Sequence, residues 1–250
     1  MTDNANNTHY VPGMYAGRAA KRKTAEQMAG QCIREWEKKR LAAIKEKKAL
    51  VRTHNCISFS RKIGVGALEI ADLVSKRTGL RVVDREILEY IANTAELNKD
   101  TVNFFDECHP GAMNNFGAML FGEKSFTMGD YMRYLVAAVY SLSDDKPTLF
   151  VGRATHLMLP REQVLAVRFI SSKDHRARRV AAIMGISESD AARKLDEEDK
   201  KQRDFFKKNF KKKDASPYEF DLVINRDHLS EADAAAELVE RAYQLKFGAD

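Results

Sequence analysis

Residues 60–69 read Ser60-Arg61-Lys62-Ile63-Gly64-Val65-Gly66-Ala67-Leu68-Glu69. Two glycines one residue apart lie between an apolar run, 55–60, and a helix-periodic stretch that begins at Ala67. A strand-to-helix turn of this kind can hold an anion. Glycine lets phosphate approach the backbone, and the N–H groups at a helix start favour negative charge. The usual phosphate-binding loop reads G-x-x-x-x-G-K-[ST]. Aligned on Gly66, this chain has Arg61 for the first glycine, Ala67 for the lysine and Leu68 for the hydroxyl residue. An ordinary turn is the competing reading. Arg61 and Lys62 are the nearby cations that could supply what the motif lacks.

Two more strand ends carry polar signals, Asp84-Arg85 and Gly152-Arg153. Asp84 suits a helix N-cap, worth about 1 kcal/mol. Arg153 could take a phosphate bidentately or lie on the surface after a turn. Residues 187–213 form a further unit. Ser187 and Asp190 give a capping-box-like start. A sparse apolar stripe (Ala191, Leu195, Gln202, Phe206) is surrounded by Lys and Arg. So weakly apolar a helix reads as a mobile lid bringing cations onto phosphates, or as a solvated hairpin. The six His are scattered, and H-E-x-x-H, C-x-x-C and G-x-S-x-G are all missing, so neither a metal centre nor a hydrolase site is expected. Cys56 falls inside a strand and is expected to be buried.

The elements that must position these residues follow from pattern. Strands are expected at 55–60, 80–83, 148–151, 164–170 and 220–225. Helices are expected at 67–74 (ended by Gly79), 86–96, 130–143, 173–212 with a break near Gly185, and 231–245; 98–128 is less regular. Strands alternating with helices predict an α/β fold with a mainly parallel sheet flanked by helices. In such a sheet the ligand lies beyond the carboxyl ends of the strands, where the three polar tips could meet.

The chain has 250 residues, 44% hydrophobic and 31% charged, a composition that excludes general disorder and fibrous repeats. Three Cys do not make a disulfide scaffold and suit reduced thiols. No apolar run approaches the roughly 20 residues that span a bilayer. The first residues lack the order of a signal peptide, so a cytoplasmic location is expected. The net charge of +6 is uneven. Residues 18–52 hold 12 bases against 4 acids, or +8, leaving −2 elsewhere. This basic arm, 1–53, reads as a helix with Met28, Cys32, Trp36, Ala43 and Leu50 on one stripe. It either packs on the body or self-associates through that stripe, or offers its bases to nucleic acid or another polyanion.

From about residue 54 to 245 the order of signals resembles the cytidylate kinase-like family, a branch of the P-loop nucleoside monophosphate kinases. Members look like I-S-R-x-x-G-S-G-G-x-E-I, and here the string runs from Ile57 to Ile70 around Arg61, Gly64, Gly66 and Glu69. D-[KR]-E-I is matched by Asp84-Arg85-Glu86-Ile87, and V-G-R-C-A-D by Val151-Gly152-Arg153-Ala154-Thr155-His156. An Arg-rich helix follows (Arg176, Arg178, Arg179). Then come D-K-x-R with paired aromatics, here Asp199-Lys200-Lys201-Gln202-Arg203-Asp204-Phe205-Phe206 with the arginine one position later, and D-L-x-I-N (Asp221 to Asn225).

The resemblance implies ATP-dependent phosphoryl transfer to CMP or dCMP, with Mg²⁺ between phosphates. It puts Ser60, Arg61, Lys62, Gly64, Val65, Gly66 and Ala67 around the ATP phosphates. Asp84, Arg85, Gly152, Arg153 and His156 would lie on the monophosphate side. Arg203 and Arg153 would act on the transferring group. Arg178 and Arg179 would sit near the lid hinge, with Lys200 and Lys207 on the lid. The chain departs from the pattern at Ala67, at Leu68, and at His156 where many members have Asp. These departures leave room for a second reading, a nucleotide- or RNA-binding protein that keeps the fold without the chemistry. The kinase-like domain is expected to span 54–250.

Overall fold

Cys56-Ile-Ser-Phe-Ser-Arg61 is buried along its whole length, and a strand buried on both faces must be central. In the computed structural model, which describes residues 27–32, 34, 35, 38, 54–93, 130–212 and 214–248, this strand is β1. The others are β2 (Arg81–Asp84), β3 (Thr148–Val151), β4 (Val164–Ile170) and β5 (Leu222–Asn225). All pairings are parallel, in the order β2-β3-β1-β4-β5. The longest register joins β1 to β4, from Cys56 opposite Val164 to Arg61 opposite Phe169. The expected parallel α/β sheet is therefore present. Trp36, most of the basic arm and the irregular stretch 98–128 lie outside the described residues.

Side-chain alternation gives each face its own core. On one face Ile57, Phe59, Leu149, Val151, Val167 and Phe169 meet α1 (Ala67–Thr78) and α6 (Ala232–Phe247). Phe59 and Phe169 pack edge to face at 4.8 Å. On the other face Cys56, Val83, Phe150 and Val164 meet α2 (Arg85–Asn93) and α3 (Asp130–Asp145). Ala29 and Cys32, from the expected arm, are buried in this second core. Glu35 is tied to Lys146 at 2.6 Å. Among the described residues no helix is long and apolar enough to cross a membrane.

β5 starts two residues later than its apolar run predicts. Asp221 is the reason: its N–H donates to Ala166 O at 2.8 Å, and its carboxylate accepts from Ala166 N at 2.8 Å. The side chain thus does the work of a ladder partner.

The long helical stretch breaks at Gly185 (φ 63°) into α4 (Lys173–Met184) and α5 (Glu188–Phe210). Ser172 and Ser187 cap the two helices by accepting from His175 N and Asp190 N. The pair does not stand off as a free lid. Its inner face makes a third core with Ile63 between Ala177, Val180, Ala191 and Leu195. Phe206 and Phe210, at its far end, enter the core on the α2–α3 face. The apolar stripe is sparse because buried Glu198 and Asp199 occupy the same face and are satisfied by ion pairs. Phe210→Ala should cost about 3–5 kcal/mol. Denaturant unfolding would read this, and a loss below about 1 kcal/mol would mean the docking is superficial.

Candidate phosphate-binding site

The loop from β1 to α1 turns on Gly64 (φ 90°) and Gly66 (φ 78°), both left-handed. Ile63, Val65 and Ala67 bury their side chains and anchor the loop from below. The carbonyls of Arg61, Ile63 and Val65 accept from Gln202, Arg176 and Arg226. Among the described residues nothing accepts from the N–H groups of Gly64, Val65, Gly66 or Ala67. Four free donors at a helix N-terminus form an anion nest. A Cβ on Gly66 would lie 2.9 Å from the Arg179 guanidinium, so Arg179 sits directly against this nest. Glu69 pairs with it at 2.6 Å. Ser60 and Lys62 turn sideways instead: Arg168 donates to Ser60 Oγ at 2.9 Å, and Lys62 meets Asp214 at 3.2 Å.

A second cationic group lies at the neighbouring strand tips. Gly152, Arg153 and Ala154 are all left-handed (φ 96°, 54° and 55°). For the two non-glycine residues this costs roughly 1–3 kcal/mol each, a strain typical of ligand clamps. Gly152 N–H is fixed to Phe59 O at 2.9 Å, and Thr155 Oγ1 meets Ser58 Oγ at 2.6 Å, which holds the turn over β1. A Cβ on Gly152 would come within 3.9 Å of Arg85 and 4.0 Å of Arg61, so both arginines close on that point. Burial, and then the charges of Arg85 and Arg61, pull the Arg153 guanidinium down to about 9. Phe205 covers it at 4.4 Å. The like charges of Arg61 and Arg85 act on a partly buried Arg153, which makes this strand tip electropositive. Glu198 is near Arg85 at 3.8 Å. Asp84 is the helix cap its type predicts, accepting from Ile87 N at 3.1 Å.

His156 is buried, stacked on Phe220 at 4.6 Å, with Nε2 3.3 Å from Glu219. Burial pushes its pKa down despite the carboxylate. Burial alone would raise Glu219; hydrogen bonds from His156 and Lys212 outweigh it and bring the carboxyl to about 2. Both shifts act in the same direction on stability. His156 is charged more readily unfolded, so stability falls as pH drops below about 6.5. Glu219 stabilises above its unfolded value near 4.3, and that contribution is lost as pH falls toward 2. Denaturation midpoints at pH 7.5, 5.5 and 3.5 should fall in that order, and Glu219→Gln should flatten the lower step. A flat profile in the wild type would refute this.

Arg203, Lys200, Lys207 and Arg178 are exposed and pair with none of the described residues. Arg203 follows Gln202, so it lies one residue from a loop contact. The groups that sequence reasoning left without a role are Arg176, Asp199, Gln202 and Arg226. Arg226 had a readable signal: it follows the tip of β5 as Arg85 follows β2. For Mg²⁺ the test is the donor set. Ala67 and Leu68 offer no hydroxyl or carboxylate, and no cluster of three His, Cys, Asp or Glu occurs among the described residues. A site of this kind would hold Mg²⁺ chiefly through the phosphates of a bound nucleotide and water.

A five-stranded parallel sheet with a glycine loop leading from its central strand into a helix is the architecture of the P-loop kinases. The model of the cytidylate kinase-like family matches residues 56–228, and the chain belongs to that family. Among solved structures, it is similar to an uncharacterized protein from Eubacterium ventriosum. The identity is 17%, covering 78% of this chain and 99% of that one, with a TM-score of 0.52. A shikimate kinase from Bacteroides thetaiotaomicron follows at 9% identity and TM-score 0.40, over 76% and 96% of the two chains. A dephospho-CoA kinase from Campylobacter jejuni gives 11% and 0.30, over 78% and 98%. No curated protein sequence matches the chain.

Proposed function

We propose that the chain transfers the γ-phosphoryl group of ATP to a nucleoside monophosphate, with CMP or dCMP as acceptor. The observation that carries this reading is a pair of anion sites at adjacent strand tips. One is the amide nest flanked by Arg179; the other is the cluster of Arg61, Arg85 and Arg153. Two phosphate-bearing substrates need two such sites side by side. In the transfer, an oxygen of the acceptor phosphate bonds to the γ-phosphorus while the bond from that phosphorus to the β–γ bridging oxygen breaks, and ADP leaves carrying the bridging oxygen. The chain contributes position and charge: nest and Arg179 on the donor, the three arginines on the acceptor, Arg203 from α5 on the group in flight. Mg²⁺ would enter as the counter-ion of the triphosphate. A cytoplasmic location suits these substrates and the free thiols of Cys32 and Cys56.

ADP release in a coupled assay with ATP, Mg²⁺ and each common monophosphate tests the proposal. CMP or dCMP should give the highest kcat/KM. Silence across the series from folded protein would reject it. The second reading, a nucleotide- or RNA-binding protein without turnover, is favoured by Ala67, Leu68 and the exposure of Arg203. It predicts saturable nucleotide binding in the same preparation with no ADP formed.

A further inference from the structure

Three carbonyls of the glycine loop, at alternate residues, are each gripped from outside. Gln202 Nε2 of α5 donates to Arg61 O at 2.8 Å. One terminal nitrogen of Arg176, on α4, donates to Ile63 O at 3.1 Å. Arg226 Nε, beyond β5, donates to Val65 O at 3.3 Å. Arg176 and Arg226 are 5% and 4% exposed, too enclosed to meet a ligand themselves. Each is braced in turn. Asp199 holds Arg176 through two bonds of 3.1 and 3.0 Å. Arg226 also donates to Leu229 O at 2.6 Å and Glu231 O at 3.0 Å.

The consequence follows from peptide planarity. In a trans peptide the C=O of one residue and the N–H of the next point in opposite directions. The described peptides are all trans. Carbonyls of Ile63 and Val65 drawn outward therefore turn the N–H groups of Gly64 and Gly66 inward, into the nest. Packing alone does not require this arrangement. A buried ion pair such as Arg176–Asp199 is rarely more stabilising than apolar side chains of the same volume. What apolar residues could not supply is a directional donor to a chosen carbonyl.

We infer that Arg176 and Arg226 are positioning residues that hold the amides of Gly64 and Gly66 in the orientation a polyphosphate tail needs, while Gln202 fixes the root of the loop at Arg61. The inference rests on the proposed function for the identity of that ligand. Two of the three grips come from the α4–α5 hairpin, so docking of the hairpin and formation of the nest are one event. Residues outside the loop thus impose the shape that Ala67 and Leu68 do nothing to support.

The test uses the full chain with Arg226→Met and Arg226→Lys. Arg226→Lys keeps a cation for the carbonyls of Leu229 and Glu231 but has no Nε–H for Val65 O, so it keeps the test alive if Arg226→Met fails to fold. Calorimetric titration with inorganic tripolyphosphate should show binding weakened about tenfold or more, while CMP stays within about threefold. A merely structural role would weaken both together. In the ligand-free protein the ¹⁵N–¹H signal of Gly66 should move in both variants, with distant glycines such as Gly79 and Gly185 unmoved. An unchanged Gly66 signal, or unchanged tripolyphosphate affinity, in folded variants would overturn the grip. Wild-type protein that binds neither probe would instead count against the proposed function, and the Gly66 signal would still judge the grip.

Discussion

Arg153→Met should give a protein that is more stable and no longer holds a monophosphate. Arg153 is pressed between Arg61, Arg85 and the Phe205 ring, and burial with those two charges depresses its pKa to about 9. Burial and the two like charges both act against the charged form. Methionine fills similar space, keeps a favourable sulfur contact with Phe205 and removes the repulsion. A gain of roughly 1–2 kcal/mol is expected, or a Tm higher by a few degrees. CMP affinity should drop about 100-fold with the loss of a charge-assisted, two-pronged contact. Calorimetry and thermal unfolding on one preparation read both effects. A variant that is less stable than wild type and binds CMP unchanged would remove Arg153 from the acceptor site.

Arg203→Ala should leave stability untouched and lower kcat by roughly 10³–10⁵, the range for a guanidinium acting on a transferring phosphoryl group. The side chain is exposed, with no partner among the described residues, so the ground state loses nothing. KM for either substrate should move little, because the nest and the arginine cluster are intact. A fall of less than tenfold would shift the chemistry to other cations and strengthen the binding-only reading.

The sheet was legible because a central parallel strand has few alternatives. Cys56–Arg61 and Val164–Ile170 are mainly apolar runs, and Gly64 marks the turn that follows the first. Gly79 and Gly185 closed their helices through left-handed φ, as their positions suggested. Arg61, Arg85 and Arg153 could be grouped for a related reason: residues at the carboxyl ends of parallel strands lie at one edge of the sheet.

The inner face of the hairpin was only partly legible: the stripe through Ala191, Leu195, Gln202 and Phe206 could be read, but hydrophobic counting leaves out Glu198 and Asp199, which tertiary partners draw inward. The contacts of Arg176 with Ile63 O and of Arg226 with Val65 O join residues 113 and 161 positions apart. No local spacing rule reaches that far. Lys62 was read as a phosphate contact from its place beside the loop and Ser60 through the family resemblance; in the folded chain Asp214 and Arg168 engage them.

Arginines at the tips of β1, β3 and β5, and one opening the helix after β2, all sit at the same edge of the sheet. Such an array projects a field well beyond contact range. It sorts visitors by charge before shape is consulted: nucleotides are steered in and their parent nucleosides are not. Capture rates should accordingly fall steeply with ionic strength, while escape rates, governed by short-range bonds, stay nearly level.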